Sequence, residues 1–366
     1  MSKLALFQPL QLKDARLRNR IAVAPMCQYM AEDGVATAWH QVHYPGMARG
    51  GAALVIVEAT AVSPEGRITP GCLGLWNEAQ AAALAPIAAA IKAAGAIPGI
   101  QLAHAGRKAS ANRPWEGDDH IASDDPRSWP TISPSAIPFG GQLDRVPQAM
   151  TVADIARVQA DFAAAATRAR EAGFEWLELH FAHGYLGQSF FSRHANQRQD
   201  DYGGDAPRRG RFLRETLAAV RERWPEHQPL TARFGVVEFD GHDEETLAEA
   251  IELSGQLRDG GLDLLSVSAG FSTVDARIPW KPGFLAPYAA RVRAATGMPI
   301  ASAWGFGDPQ LAEQALQQQQ LDLVMIARSH LANPHWPYHA ARVLGHEAAS
   351  SVLPTPYAHW LGRYRD

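Results

Sequence analysis

Apolar positions along the chain gather into eight short runs, near 21–23, 53–57, 97–102, 176–180, 230–234, 264–268, 300–303 and 323–326. Each has the length and the Val, Ile and Leu content of a strand buried on both faces. Between the runs the apolar residues recur at helical spacing, most clearly over 78–94, 151–172, 208–224, 243–259, 286–296 and 309–317, with Thr151 and Asp308 placed as capping residues. Strand followed by helix, repeated, predicts a parallel sheet. Eight repeats predict closure into an α/β fold of the (β/α)8 TIM-barrel type, one domain over residues 1–366. A doubly wound open sheet uses the same alternation and is the second reading.

Residues 104–150 break the rhythm with Pro, Gly, Asp and Trp. They form a long insertion after the third strand, read either as a loop lying over the active site, as long βα loops in barrels do, or as a plain surface insertion. The Gln run 317–320 reads as a solvated helix end.

Composition narrows the function classes. The 366 residues are 46% hydrophobic and 20% charged, with a formal net charge of −4. There is no long Lys/Arg run, so neither nucleic acid nor an anionic membrane is an expected partner. The N-terminus lacks a signal-peptide core and no stretch approaches membrane-spanning length. Cys27 and Cys72 are the two cysteines, too few for a disulfide framework, and together these features predict a cytoplasmic protein.

Catalytic groups of barrels come from the C-terminal ends of the strands. Here those ends are polar: Ala24-Pro25-Met26-Cys27-Gln28-Tyr29 after the first, Glu58-Ala59-Thr60 on the second, Gln101 on the third, His180-Phe-Ala-His183-Gly-Tyr185 on the fourth, Arg233 on the fifth, Ser302-Ala-Trp304-Gly305 on the seventh and Ala327-Arg328 on the eighth. Two histidines three apart suit a metal, with Cys27 or Glu58 completing the set, which would make a metal-dependent barrel hydrolase. They also suit a pair of hydrogen-bond donors to one substrate oxygen, or a purely structural role. No Rossmann or P-loop fingerprint is present. A phosphate would instead meet the loops after the seventh and eighth strands, at Gly305 and at Arg328.

Taken together, Ala24-Pro-Met-Cys-Gln-Tyr29, Glu58-Ala-Thr-Ala-Val62, Gln101-Leu-Ala-His-Ala-Gly-Arg-Lys108, Glu178-Leu-His-Phe-Ala-His-Gly-Tyr185 and Asp201-Tyr-Gly-Gly204 resemble the Old Yellow Enzyme family, and the cysteine its thermophilic-like bacterial class. The resemblance runs nearly end to end. It implies noncovalent FMN, reduced by NADPH or NADH, and an enone or nitro compound as small-molecule substrate, with hydride passing from flavin N5. It implies that Ala24, Pro25, Met26, Cys27, Ala59, Gln101, Arg233, Ser302, Trp304, Gly305, Ala327 and Arg328 hold the flavin. His180 and His183 would clamp the substrate oxygen and Tyr185 would donate the proton, with Tyr29 and Trp304 shaping the pocket. The tail 354–366 would carry Trp360 into a neighbouring subunit's site, which makes a homodimer or higher homo-oligomer the expected state. A flavin-binding sensor without turnover is the alternative from another class. The family usually has Gly-Arg where this chain has Ala327-Arg328, and the resemblance implies a slightly altered phosphate loop there.

Overall fold

A computed structural model describes residues 4–364. Eight parallel strands close into a barrel: β1 Ile21–Val23, β2 Leu54–Ala61, β3 Ile97–Ala103, β4 Trp176–Phe181, β5 Leu230–Val237, β6 Leu264–Ala269, β7 Ile300–Ser302 and β8 Leu323–Ile326. Closure is made by β8 on β1, with Val324 opposite Ile21 and Ile326 opposite Val23. The open-sheet reading is thereby overturned. All eight predicted strands are present, with ends displaced by at most a few residues.

The principal helices are α1 Ala38–Arg49, α2 Glu78–Ala93, α3 Val152–Glu171, α4 Arg211–Arg221, α5 Asp243–Asp259, α6 Ala286–Thr296, α7 Pro309–Gln317 and α8 Trp336–Val343. Side chains of Asn77, Thr151 and Asp308 accept hydrogen bonds from the first turns of α2, α3 and α7, satisfying amides that have no partner within the helix. The pattern 208–224 resolves into two pieces, Ala206–Arg209 and α4, separated by Gly210. Helices α1 and α8 escape the sequence pattern. α1 is His-rich and has Pro45 inside it, and a proline in a helix interior argues against a helix from sequence alone.

One core lies between strands and helices, and a second fills the barrel itself. The second contains Ala22, Leu54, Ile56, Trp176, Leu264 and Leu323 from the strands. It also contains Leu12, Ala15 and Leu17 from an N-terminal hairpin, Leu10–Leu12 paired with Ala15–Leu17, which plugs the lower end. With that end closed by apolar side chains, the polar inward positions Gln101, Glu178, Arg233 and Ser268 are left higher in the barrel. Among the described residues no helix is long and apolar enough to cross a membrane.

Candidate active site

At the C-terminal end of the barrel lies a cavity of about 1010 Å³. Its walls include Ala24, Pro25, Met26, Cys27 and Tyr29 from the loop after β1, His183 after β4, and Arg233 from β5. Trp304, Gly305 and Gly307 after β7, and Ala327, Arg328 and Ser329 after β8, complete them. The sequence-predicted residues of five strand ends therefore meet on one cavity.

Four non-glycine residues at or beside it hold positive φ: Tyr29 (56°), His183 (63°), Phe271 (50°) and Trp304 (70°). Such conformations cost of order 1–3 kcal/mol each and cluster where side chains must be aimed. Between His183 and Tyr185 the chain turns at Gly184 (φ 67°), where a Cβ would stand 2.4 Å from the Phe271 carbonyl oxygen. Only glycine meets both demands.

The turn brings the three predicted side chains together. The His180 ring lies 4.9 Å from that of His183 and 5.1 Å from that of Tyr185, and the His183 and Tyr185 rings are 6.5 Å apart. Hydrogen-bond partners assign the tautomers. His180 Nδ1 accepts from the Ala182 amide at 3.4 Å, so its proton sits on Nε2. The Trp304 indole, which can only donate, gives its N–H to Ser268 Oγ at 3.3 Å. The Ser268 proton remains available to His183 Nε2, 2.7 Å away, and in that arrangement the His183 proton sits on Nδ1. Burial and the positive charges of Arg233 and Lys108 push both imidazoles well below the usual histidine range, so each is a neutral ring with one N–H to offer. Burial pushes the Tyr185 hydroxyl up, which keeps it protonated at neutral pH.

Ser268 and Lys108 were not singled out as site residues by the sequence. Ser268 is fully buried on β6. The pattern Ser266-Val-Ser268, with polar groups on the inward side of a strand, is the signal that could have found it. Lys108 donates to the carbonyl oxygens of His183 (2.8 Å) and Phe271 (3.0 Å) and tethers the loops after β3, β4 and β6 to each other. Burial first, then Arg107, brings its pKa down to about 7. The exposed Trp280, against Trp304 at 5.6 Å, was missed as well; it lines the cavity from the long loop after β6.

Below the cavity, adjacent strands place Gln101 opposite Glu178 and His180 opposite Arg233. Gln101 Nε2 donates to Glu178 Oε1 at 2.7 Å. Glu178 Oε2 and Arg233 Nε are both buried without a partner. Burial pushes the Glu178 carboxyl up to about 7, against the pull of Arg233. Unpartnered buried polar atoms beside a cavity mark where a polar ligand belongs.

Other predicted residues sit elsewhere. Ala59 and Tyr185 line a separate, smaller crevice with Cys72. The Ser302 hydroxyl is spent on the Val267 and Ala303 carbonyls, and Ser302 is not among the residues lining the cavity. Trp360, on the helix Thr355–Leu361, is 70% exposed and does not line it either. Ala327 has φ −106°, so glycine's left-handed freedom is not used there and alanine introduces no strain of that kind. Cys27 is half-buried, and burial holds its thiol in the neutral form. Pro114 of the 104–150 segment reaches the cavity wall, while Arg113 donates to the Tyr29 carbonyl at 3.1 Å. Among the described residues no group of three or more His, Cys, Asp or Glu could hold a metal, and His183 Nε2 is already committed to Ser268.

Residues 5–347 match the model of the NADH:flavin oxidoreductase / NADH oxidase family. The chain belongs to this family. The NADPH dehydrogenase of Geobacillus sp. (strain WCH70) is 40% identical over 350 residues, covering 95% of this chain and 96% of that protein. The NADPH dehydrogenase of Bacillus velezensis is 38% identical over 349 residues, covering 95% and 97%. Among solved structures, morphinone reductase superposes with a TM-score of 0.80 at 26% identity, over 100% of this chain and 99% of its own. The old yellow enzyme homologue from Zymomonas mobilis gives 0.77 at 25%, over 97% and 98%. The resemblance to the Old Yellow Enzyme family is thus borne out, and the protein is an FMN-dependent NADPH oxidoreductase. The cavity fits FMN on its own terms. It has the volume, a positive guanidinium with an unpartnered nitrogen at its base, and Gly305, Gly307 and exposed Arg328 at one end.

Proposed function

We propose that this oxidoreductase is an ene-reductase, which reduces the activated C=C bond of α,β-unsaturated carbonyl compounds and takes nitro compounds as a second substrate class. The observation that carries the reading is the cluster on the end of β4: two neutral imidazoles, His180 and His183, the second with Nε2 on Ser268 and Nδ1 left for a ligand, beside a protonated Tyr185 hydroxyl. Bound FMN supplies the hydride, from N5, and NADPH or NADH replenishes it.

The two histidines hold and polarise the substrate oxygen, which leaves the distal alkene carbon electron-poor. A donor aimed at developing negative charge contributes roughly 3 kcal/mol to the transition state. Tyr185 delivers the proton to the other alkene carbon. Arg233 would stabilise negative charge on the flavin pyrimidine, and Gln101, its Nε2 committed to Glu178, would orient that edge. Ala24, Pro25, Met26 and Ala59 would pack along the ring and the Cys27 thiol would tune its potential. Gly305, Ala327, Arg328 and the Ser302 backbone would hold the phosphate, and Tyr29 and Trp304 narrow the substrate pocket.

Exposed Trp360 and Tyr357 on the C-terminal helix support a homodimer or higher oligomer in which Trp360 enters a neighbouring site. Two unpaired cysteines suit the reducing cytoplasm. The reading is tested on purified yellow protein under anaerobic conditions. NADPH is expected to bleach it and 2-cyclohexenone to restore the colour; protein that bleaches but stays colourless with the enone would refute the substrate class.

A further inference from the structure

Glu58 takes no part in the site as described, yet it is a carboxyl with no exposed surface directly beneath the loop that carries Cys27 and Tyr29. Its position follows from an irregularity in β2. Pairing with β3 runs Val57 to Ile100 and then Ala59 to Gln101, so Glu58 is the extra residue of a bulge. A bulge re-aims side chains. Ala59 is set beside Gln101, and Glu58 reaches both the loop after β1 and α1.

There it makes a junction. Oε1 accepts the Gln28 amide at 3.0 Å. Oε2 accepts the Tyr44 hydroxyl at 2.6 Å, and Tyr44 Oη accepts the Glu58 amide at 3.1 Å in return. His40 Nδ1 is taken by the Thr37 amide, which leaves its Nε2 proton facing Glu58 Oε2 across 3.8 Å. The Gln28 side chain continues the lattice, donating to the Met26 carbonyl at 2.8 Å and accepting from the Trp39 indole at 3.1 Å. The loop it holds is strained at Tyr29, whose φ is 56°. A buried ionisable group is a poor source of stability compared with an apolar residue of its size. Its contribution here is positional.

We propose that Glu58 is a positioning residue: by tying the peptide between Cys27 and Gln28 to β2 and α1, it fixes how far Cys27 and Tyr29 reach over the cavity. The proposal rests on the reading that these two side chains face bound FMN and substrate.

The test uses FMN-loaded protein and two readouts other than turnover: alkylation of Cys27 by iodoacetamide, followed by peptide mass spectrometry, and spectral titration with a phenol. In Glu58→Ala, alkylation is expected to rise and phenol affinity to fall by about tenfold each, the scale of one lost hydrogen bond to a charged group. Glu58→Gln keeps an oxygen for the Gln28 amide and is expected to restore both values to near wild type. Tyr44→Phe removes one strut and is expected to raise alkylation part of the way, which keeps the proposal testable if the alanine variant does not fold. Wild-type alkylation and phenol binding in Glu58→Ala, or in Tyr44→Phe where only that variant folds, would overturn it even if the melting temperature dropped. Failure of the ene-reductase reading would show separately, in unmodified protein that enones cannot recolour.

Discussion

Ser268 accepts from the Trp304 indole and pairs with His183 Nε2, so it decides which nitrogen of that ring is left to face a ligand. Replacing it with Ala removes the decision. Affinity for a phenol that places its anion over the flavin is expected to fall by about tenfold in Ser268→Ala and by at least as much in His183→Ala or His180→Ala, as loss of a hydrogen bond to a charged acceptor costs about 1.5–3 kcal/mol. Spectral titration reads this directly, and unchanged affinity in both histidine variants would remove the clamp. Cys27→Ala is expected to keep FMN and to shift its reduction potential, measured by equilibrium dye titration. An apoprotein would contradict a tuning role. Glu58 and Glu178 also set a pH dependence. Burial raises both to about 7 from an ordinary 4.5, so the folded chain binds protons that the unfolded chain has released between those values. Their share of the stability therefore falls as pH rises from about 4.5 to 7, while His104, His180 and His183, pushed down by burial, contribute a share that rises with pH on the acid side of neutrality. The carboxyl share is read by difference: in urea unfolding of the FMN-free protein, the midpoint of Glu178→Gln relative to wild type should be higher at pH 8 than at pH 5.5. At this scale the sequence was legible where residues came in recognisable strings, as around His180. It was silent on Ser268, because a lone serine acquires its role only from two partners brought in by other strands.

The elements set the aim of these residues. Strand β2 bulges at Glu58, the loop after β4 reverses at Gly184, and left-handed Tyr29, Phe271 and Trp304 turn their loops about the cavity. Gly184→Ala combines a positive φ with a Cβ driven against the Phe271 carbonyl. It is expected to destabilise the protein by at least about 1 kcal/mol, and to lower phenol affinity with it, since the turn carries His183 and Tyr185 together. A melting curve and a phenol titration on one preparation check both. The strands were readable because a parallel sheet covered on both faces makes most positions of a strand apolar, with polar residues such as Glu178, Arg233 and Ser268 confined to inward positions near the site. The N-terminal hairpin and α1 were not: Gln11 and Arg16 put a polar residue in the middle of each short hairpin strand, and Pro45 interrupts the other. Bulges and left-handed turns leave no trace in polarity at all.

At the level of the whole molecule, closure of β8 on β1 brings the ends of the barrel's first and last strands onto one cavity, and this is why residues about 300 positions apart, such as Cys27 and Arg328, serve one site. The tail is different. Trp360 and Tyr357 are exposed on a helix away from the cavity of their own chain. Truncation after Pro354 is expected to lower turnover with an enone while the FMN spectrum stays intact. Steady-state kinetics beside sedimentation velocity test this, and unchanged kinetics would end the shared-site proposal. The central claim is the division of labour on β4, in which His180 and His183 hold the oxygen and Tyr185 gives the proton. Stopped-flow spectroscopy of Tyr185→Phe, following each half-reaction alone, tests it most directly. Reduction by NADPH should match wild type, whereas reoxidation by 2-cyclohexenone should slow by about a hundredfold or more, the scale of a lost general acid. Reoxidation at the wild-type rate would contradict the account.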